Sequence, residues 1–127
     1  MSNRAVISTP NAPAAIGPYS QAVKAGNTVW LSGQIPLVPE TMEIVEGGIV
    51  EQAHQVFTNL AAVAAAAGGD LNNAVKLNIS LTDLGDFNQV NEIMTGFLSQ
   101  PYPARACVQV AALPRGVAIE VEAILVL

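Results

Sequence analysis

Pro103-Ala104-Arg105-Ala106-Cys107 leads directly into Val108-Gln109-Val110, and this run decides how the second half of the chain is read. Side chains alternate along a strand, so Arg105, Cys107 and Gln109 point one way while Ala106, Val108 and Val110 point the other. One face is apolar and the other carries a lone guanidinium. Leu113-Pro114-Arg115-Gly116 breaks the run, and a second strand is predicted from Val117 to Leu127. Ile119, Val121, Ala123, Leu125 and Leu127 share one of its faces, leaving Ala118, Glu120, Glu122, Ile124 and Val126 on the other. Two carboxylates therefore sit inside an otherwise apolar strand, next to a strand holding one of only five basic residues in the chain.

Working back towards the N-terminus, Ala74 to Leu81 alternates Val75, Leu77, Ile79 and Leu81 against Lys76, Asn78 and Ser80, which predicts a strand with one wetter face. Two helices are predicted around it. The first starts at Ile49 and carries Ala53, Val56, Phe57, Leu60, Val63, Ala64 and Ala67 at helical spacing, until Gly68-Gly69 stops it. Its alanine run, Ala64 to Ala67, suits close packing on a sheet. The second carries Phe87, Val90, Met94, Phe97 and Leu98, with Asp86 as candidate N-cap and Pro101 and Pro103 as terminators. Upstream, Arg4 to Thr9, Ser20 to Ala25 and Thr28 to Ser32 read as strands. Gly26-Asn27 makes a tight hairpin between the last two, both residues tolerating positive φ. The order strands, helix, strand, helix, strands lets both helices cover one face of a mixed sheet.

The bulk composition adds two constraints. At 127 residues the chain is one domain's worth, and it is 51% hydrophobic but only 12% charged, where roughly 25% charged is usual. Polar surface is too scarce for a monomer, so a symmetric homo-oligomer is expected to cover an apolar face. The net charge of -5 and the scattered Arg4, Lys24, Lys76, Arg105 and Arg115 argue against nucleic acid, whose binding depends on clustered Lys and Arg. No stretch approaches the roughly 18 apolar residues of a membrane span, and Met1-Ser2-Asn3-Arg4 leads into no signal-peptide run. A soluble cytoplasmic protein is the expectation.

Few residues offer chemistry. Cys107 is the only cysteine, which excludes an intrachain disulfide and a Cys-rich metal site. No dinucleotide or Walker motif is present, and His54 has no second His or Cys as co-ligand, so neither metal nor cofactor is expected. His54 reads as surface or helix packing; Trp30, Met94 and the Phe residues read as core. Arg105 can grip a small anion through two parallel charge-assisted bonds, or form an internal salt bridge with Glu120 or Glu122. Glu120 can act as general base or as that ion-pair partner. Cys107 reads as an inert strand cysteine, with nothing nearby to lower its pKa.

Six collinear motifs spanning nearly the whole chain closely resemble the Rid family, also called YjgF, and specifically its RidA branch. They are Ile16-Gly17-Pro18-Tyr19-Ser20-Gln21-Ala22, Ser32-Gly33-Gln34-Ile35-Pro36, Phe87 with Val90-Asn91, Pro103-Ala104-Arg105-Ala106-Cys107-Val108, Leu113-Pro114, and Ile119-Glu120-Val121-Glu122-Ala123. The chain departs from many relatives at Met94, often aromatic, and Ala106, often Ser.

The resemblance implies that residues 1–127 form a single Rid-type domain with a chorismate mutase-like α+β fold, a mixed sheet backed by two helices. Three chains would close their sheets into a central β-barrel, with active sites in the clefts between subunits. The implied activity is cofactor-free hydrolysis of 2-iminopropanoate and 2-iminobutanoate, and their enamine tautomers, to 2-oxo acids and ammonia. Pyridoxal-phosphate dehydratases release such intermediates. In that reading Arg105 grips the carboxylate with help from backbone N–H groups around Gly33. Glu120 holds the attacking water and shuttles its proton, and the backbone at Cys107 orients substrate. Tyr19 and Asn91 line the cleft, at least one of them from across the subunit boundary, and Ser32 belongs to the same wall. Two alternatives are a non-catalytic module sensing 2-oxo acids and the RNA-cleaving, translation-inhibiting or chaperone-like roles attributed to some relatives.

Overall fold

The alternating stretch Ala74–Leu81 (β4) lies inside the sheet and shows what drives the fold. Leu77, Ile79 and Leu81 are at most 2% exposed, whereas Asn78 and Ser80 between them face the other way and keep contact with solvent. In the computed structural model, which describes residues 4–127, β4 pairs parallel with Ala104–Gln109 (β5) and antiparallel with Ile119–Val126 (β6). Arg4–Ile7 (β1), Ala22–Ala25 (β2) and Thr28–Gln34 (β3) form a meander, and β3 joins β6. The result is one mixed sheet of six strands in the order β1-β2-β3-β6-β4-β5, with β1 and β5 at its edges. Met1-Ser2-Asn3, the start of the stretch in which no signal-peptide run is expected, lies outside the described residues.

Helices Ile49–Ala66 (α1) and Phe87–Thr95 (α2) both cover one face. Val56, Phe57, Leu60 and Val63 of α1 and Val90 and Met94 of α2 join Val29, Leu31, Leu77, Ile79, Leu81, Ile119, Val121 and Leu125 in one apolar core. Full burial of such side chains contributes about 1.5–3 kcal/mol each. The N-terminus of α1 is closed by Glu51, whose Oε1 accepts from the Gly48 N–H at 2.8 Å. Gly47 has to be glycine there, because its φ is +119° and a Cβ would meet the Glu51 side chain at 2.5 Å. At the other end Gly68 takes φ +97° and the Gly69 N–H reaches the Ala64 carbonyl, the stop that the sequence placed there.

Several expectations need correction. Trp30 is not core: it is 47% exposed, because Val29 and Leu31 fill the helix side and alternation sends Trp30 to the open face. In β5 the apolar parity is the exposed one. Arg105 stands opposite Leu77, Cys107 opposite Ile79 and Gln109 opposite Leu81, so the guanidinium side faces the helices while Val108 is 52% exposed. Asp86 precedes α2 but its side chain makes no cap bond; a 3-10 turn, Leu84–Asp86, leads in instead, with Asp83 Oδ1 accepting from the Gly85 N–H at 2.8 Å. Only two of the four alanines from Ala64 to Ala67 are buried, Ala64 and Ala67, and of the hairpin pair only Gly26 takes positive φ. β1 and α2 end earlier than their patterns suggested, at Ile7 and Thr95, and β6 starts at Ile119.

Among the described residues, no helix covers the other face of the sheet. An apolar row crosses four strands there, Val6 opposite Val23, Val23 opposite Trp30 and Trp30 opposite Ile124. Val6 is 65% exposed. This is the uncovered apolar surface that the low charge content called for.

Candidate active site

Arg105 is the second residue of β5, at the edge of the sheet, and the register with core residue Leu77 turns it to the helix side, where α2 meets it. Its Nη1 donates to Asn91 Oδ1 and lies 3.8 Å from the Met94 sulfur, and its guanidinium carbon stands 4.9 Å from the centre of the Phe87 ring. Phe87, Asn91 and Met94 are spaced by four and three residues, so one helix stripe holds the cation on three sides. Asn91, Met94, Thr95, Tyr102, Pro103 and Arg105 line an open hollow of about 450 Å³. The remaining donors of the guanidinium are available to a planar anion.

Cys107 sits two residues along on the same side, partly buried against the core. Burial pushes its thiol pKa up and the Arg105 charge opposes this only in part, as fits a packed rather than a nucleophilic sulfur. Because β5 is an edge strand, the outer side of its backbone is left unpaired by the sheet.

Glu120 belongs to a different place. Its neighbours in β6, Ile119 and Val121, are in the core, so Glu120 projects from the open face opposite Ser80. With Asn78, Ser80 and Glu122 it borders a small hollow of about 120 Å³. β3 is bulged between Leu31 and Gln34, which brings the Gly33 backbone against the Glu120 carboxyl. A Cβ at Gly33 would lie 3.0 Å from Glu120 Cδ and 3.1 Å from its Oε2, so the absence of a side chain is what permits this approach. Glu120's carboxyl is held above the usual carboxylate range, chiefly by burial and further by the Glu122 charge. Asn78 Nδ2 donates to Glu122 Oε1 at 3.0 Å.

Tyr19 and Gly33 line a third hollow, of about 260 Å³, with apolar walls from Ile16, Ile35 and Leu37. Tyr19 is 54% exposed. The Ser32 hydroxyl is committed to the Ser20 carbonyl, so Ser32 fixes the loop before β2 and has no proton free to donate to a ligand.

The sequence-derived candidates thus separate into two groups. Arg105, Cys107 and Asn91 stand on the helix side at one edge; Glu120, Gly33, Tyr19 and Ser32 gather around β3 and β6. An internal salt bridge from Arg105 to Glu120 or Glu122 is therefore ruled out within one chain, because the strands present them on opposite faces. His54 is exposed and packs edge-on against Phe97 at 5.3 Å, the packing role expected of it. Sequence reasoning reads Phe87 as core and misses its contact with Arg105, and it misses Thr95 and Tyr102. The signal for Phe87 was its helical spacing to Asn91 and Met94, readable once α2 is set beside β5. Among the described residues, no group of three or more His, Cys, Asp or Glu comes together as a metal site requires, and no helix is long and apolar enough to cross a membrane.

The profile of the family described as Endoribonuclease L-PSP matches residues 9–127. A mouse protein named 2-iminobutanoate/2-iminopropanoate deaminase is 53% identical, over 97% of this chain and 91% of its own length. The crystal structure of RidA from the Antarctic bacterium Psychrobacter superposes with a TM-score of 0.94 at 58% identity, covering 97% of this chain and 99% of that one. Escherichia coli TdcF with bound serine superposes with a TM-score of 0.91 at 42% identity, over 97% of this chain and 98% of that one.

Proposed function

Since the chain belongs to the family described as Endoribonuclease L-PSP, the Rid or YjgF family, we propose that it is a cofactor-free deaminase that hydrolyses 2-iminopropanoate, 2-iminobutanoate and their enamine tautomers to 2-oxo acids and ammonia. The observation that carries the reading is the separation of an anion-gripping group, Arg105 held by Asn91, Phe87 and Met94, from a carboxyl of raised pKa, Glu120 against Gly33. Relatives at about half identity bearing the deaminase name support it, as does the bound serine, a small carboxylate, in the Escherichia coli structure.

The chemistry follows from the groups. The guanidinium takes the substrate carboxylate as a bidentate pair and fixes the position of the C=N carbon. Glu120 accepts a proton from water as the oxygen adds to that carbon and passes it to nitrogen, giving a 2-amino-2-hydroxy acid; it then takes the hydroxyl proton and delivers it to the same nitrogen, so that ammonia leaves as the carbonyl forms. A carboxyl with raised pKa suits both steps, because its proton affinity lies closer to the working pH. The backbone at Cys107 and at Gly33 supplies orienting polar groups, and Tyr19 closes the wall.

Because one chain holds the two groups on opposite faces, the reading requires two chains per site. Three copies closing their open faces into a central barrel would cover the row of Val6, Val23, Trp30 and Ile124 and place Arg105 of one chain beside Glu120 of the next. In the cell the protein would clear reactive products of pyridoxal-phosphate dehydratases in the cytoplasm. RNA cleavage, which the family description names, has less support here: five dispersed basic residues and a net charge of -5 make a poor surface for a phosphate backbone.

The test generates imino acid in situ with an amino-acid oxidase in the presence of semicarbazide, a competing trap. Wild type is expected to lower semicarbazone formation from alanine- and 2-aminobutyrate-derived imines and Arg105→Ala to abolish the effect. No reduction with either imine would move the reading to a 2-oxo acid-binding module.

A further inference from the structure

Glu120 stands between two unlike surroundings. β6 lies between β3 and β4, and on the β3 side the carboxyl rests on the Gly33 backbone, so closely that a Cβ there would lie 3.0 Å from Glu120 Cδ. On the β4 side its partner in the register is Ser80, and a hollow of about 120 Å³ opens, lined by Asn78, Ser80, Glu120 and Glu122. Every lining residue is polar. Resting on the proposal that Glu120 is the base of the reaction, we infer that this hollow is a water pocket through which the Glu120 carboxyl is hydrated and exchanges its proton, and that Ser80 is the positioning residue that keeps it open.

The open face around the hollow is otherwise apolar, with Trp30 and Ile124 on one side and Val108, opposite Ser80 on β5, on the other. Serine at 80 breaks that pattern opposite Glu120, where a larger apolar side chain would fill the space. The volume takes several waters at roughly 30 Å³ each. Among the described residues neither the Ser80 hydroxyl nor the Glu120 carboxyl makes a hydrogen bond, while Asn78 is fixed by donating to Glu122 Oε1 at 3.0 Å. Half-buried polar groups without a protein partner take one from water. Burial is the main cause that raises the proton affinity of Glu120, and water against the carboxyl offsets part of it.

Few charged groups share this surrounding. On β6 Glu122 adds a like charge, and on β4 Lys76 lies on the same face beyond Asn78, opposite Ile124. β3 presents Gly33 and Trp30, and β5 presents Ala104, Ala106 and Val108, none of which titrates; the loop before β2 brings Tyr19 into the same hollow as Gly33. From the neighbouring chain of the proposed assembly comes Arg105.

Ser80→Leu fills the hollow from the open face, outside the core under the helices, and Ser80→Ala enlarges it while removing the hydroxyl. The Glu120 carboxyl is followed by carbon NMR titration of protein carrying isotopically labelled glutamate side chains, with Glu120→Gln identifying its signal. Ser80→Leu is expected to raise the titration midpoint by about one pH unit or more, and Ser80→Ala to leave it within about 0.3 unit of wild type. Ser80→Val, a smaller filler suited to a strand, is expected to shift it the same way and serves if leucine disturbs the assembly. An unchanged or lowered midpoint in the apolar variants overturns the inference. So does a rise in Ser80→Ala equal to that in Ser80→Leu, which would assign the effect to the hydroxyl itself. In the semicarbazide assay the acid limb of the kcat/KM profile moves to higher pH with the midpoint, because the base works deprotonated. The titration needs no turnover: a raised midpoint in a protein that hydrolyses neither the alanine- nor the 2-aminobutyrate-derived imine upholds the pocket and removes only the deaminase reading.

Discussion

Replacing Arg105 by lysine keeps the charge and removes the planar fork, which makes it the sharpest probe of the anion grip. A carboxylate on the guanidinium makes two parallel charge-assisted bonds, each worth about 1.5–3 kcal/mol, and an ammonium can reproduce one of them. At about 1.4 kcal/mol per factor of ten, kcat/KM should fall roughly ten- to hundredfold. Lysine also lacks a second nitrogen to donate to Asn91 Oδ1 while it holds substrate, so the loss should lie towards the upper end. The semicarbazide competition assay with 2-iminobutanoate reads the effect directly. Melting temperature should not move, because Arg105 is exposed at a sheet edge and its contacts run to a single helix face. If Arg105→Lys retains more than about half of the wild-type kcat/KM, bidentate recognition by this residue is wrong.

Gly33→Ala places a methyl 3.0–3.1 Å from Glu120 Cδ, Cγ and Oε2; pushing the carboxyl aside should lower kcat about tenfold while KM and melting temperature stay near wild type. Glu122→Gln removes the like charge that adds to the raised pKa of Glu120, while the larger cause, burial, remains. A base works deprotonated, so the acid limb of the kcat/KM profile should shift to lower pH; an upward shift would contradict the assignment of Glu120 as base. Trp30→Glu puts a charge in the middle of the open apolar row. Sedimentation should then show monomers with unchanged far-UV circular dichroism, and deaminase activity should disappear with the assembly.

The sheet and helices were legible in the sequence because period-two and 3.6-residue patterns are local. Ala74–Leu81 appears as a strand with the bounds that its alternation gave, and Ile49 opens α1 as its apolar spacing required. What alternation could not supply was which face of β5 meets the helices. Alternation separates Ala106 and Val108 from Arg105 without saying which side meets the helices, and it is the register of β5 on β4 that sets Arg105 opposite buried Leu77. Register is a non-local property, fixed here by the parallel crossover through α2. The same limit applies to Arg105 and Glu120. Residue type and motif make both of them candidates, but their separation onto opposite faces depends on β6 lying between β3 and β4, an order that no local pattern encodes. The contacts of Phe87 and of core residue Met94 with Arg105 are invisible to local pattern, because they arise only when α2 packs beside the edge strand.

In the proposed assembly each site takes Arg105 from one chain and Glu120 from another. This can be tested by refolding or co-expressing Arg105→Ala and Glu120→Gln chains together. Each variant alone should be inactive in the semicarbazide assay. In an equal random mixture, an interface works when its arginine comes from a Glu120→Gln chain and its glutamate from an Arg105→Ala chain, so about a quarter of the wild-type activity should return in a cyclic assembly. Recovery near that level is the predicted result. A mixture as inactive as its parents, with mixed assemblies verified by mass, would mean that both groups act from the same chain, in contradiction to the account.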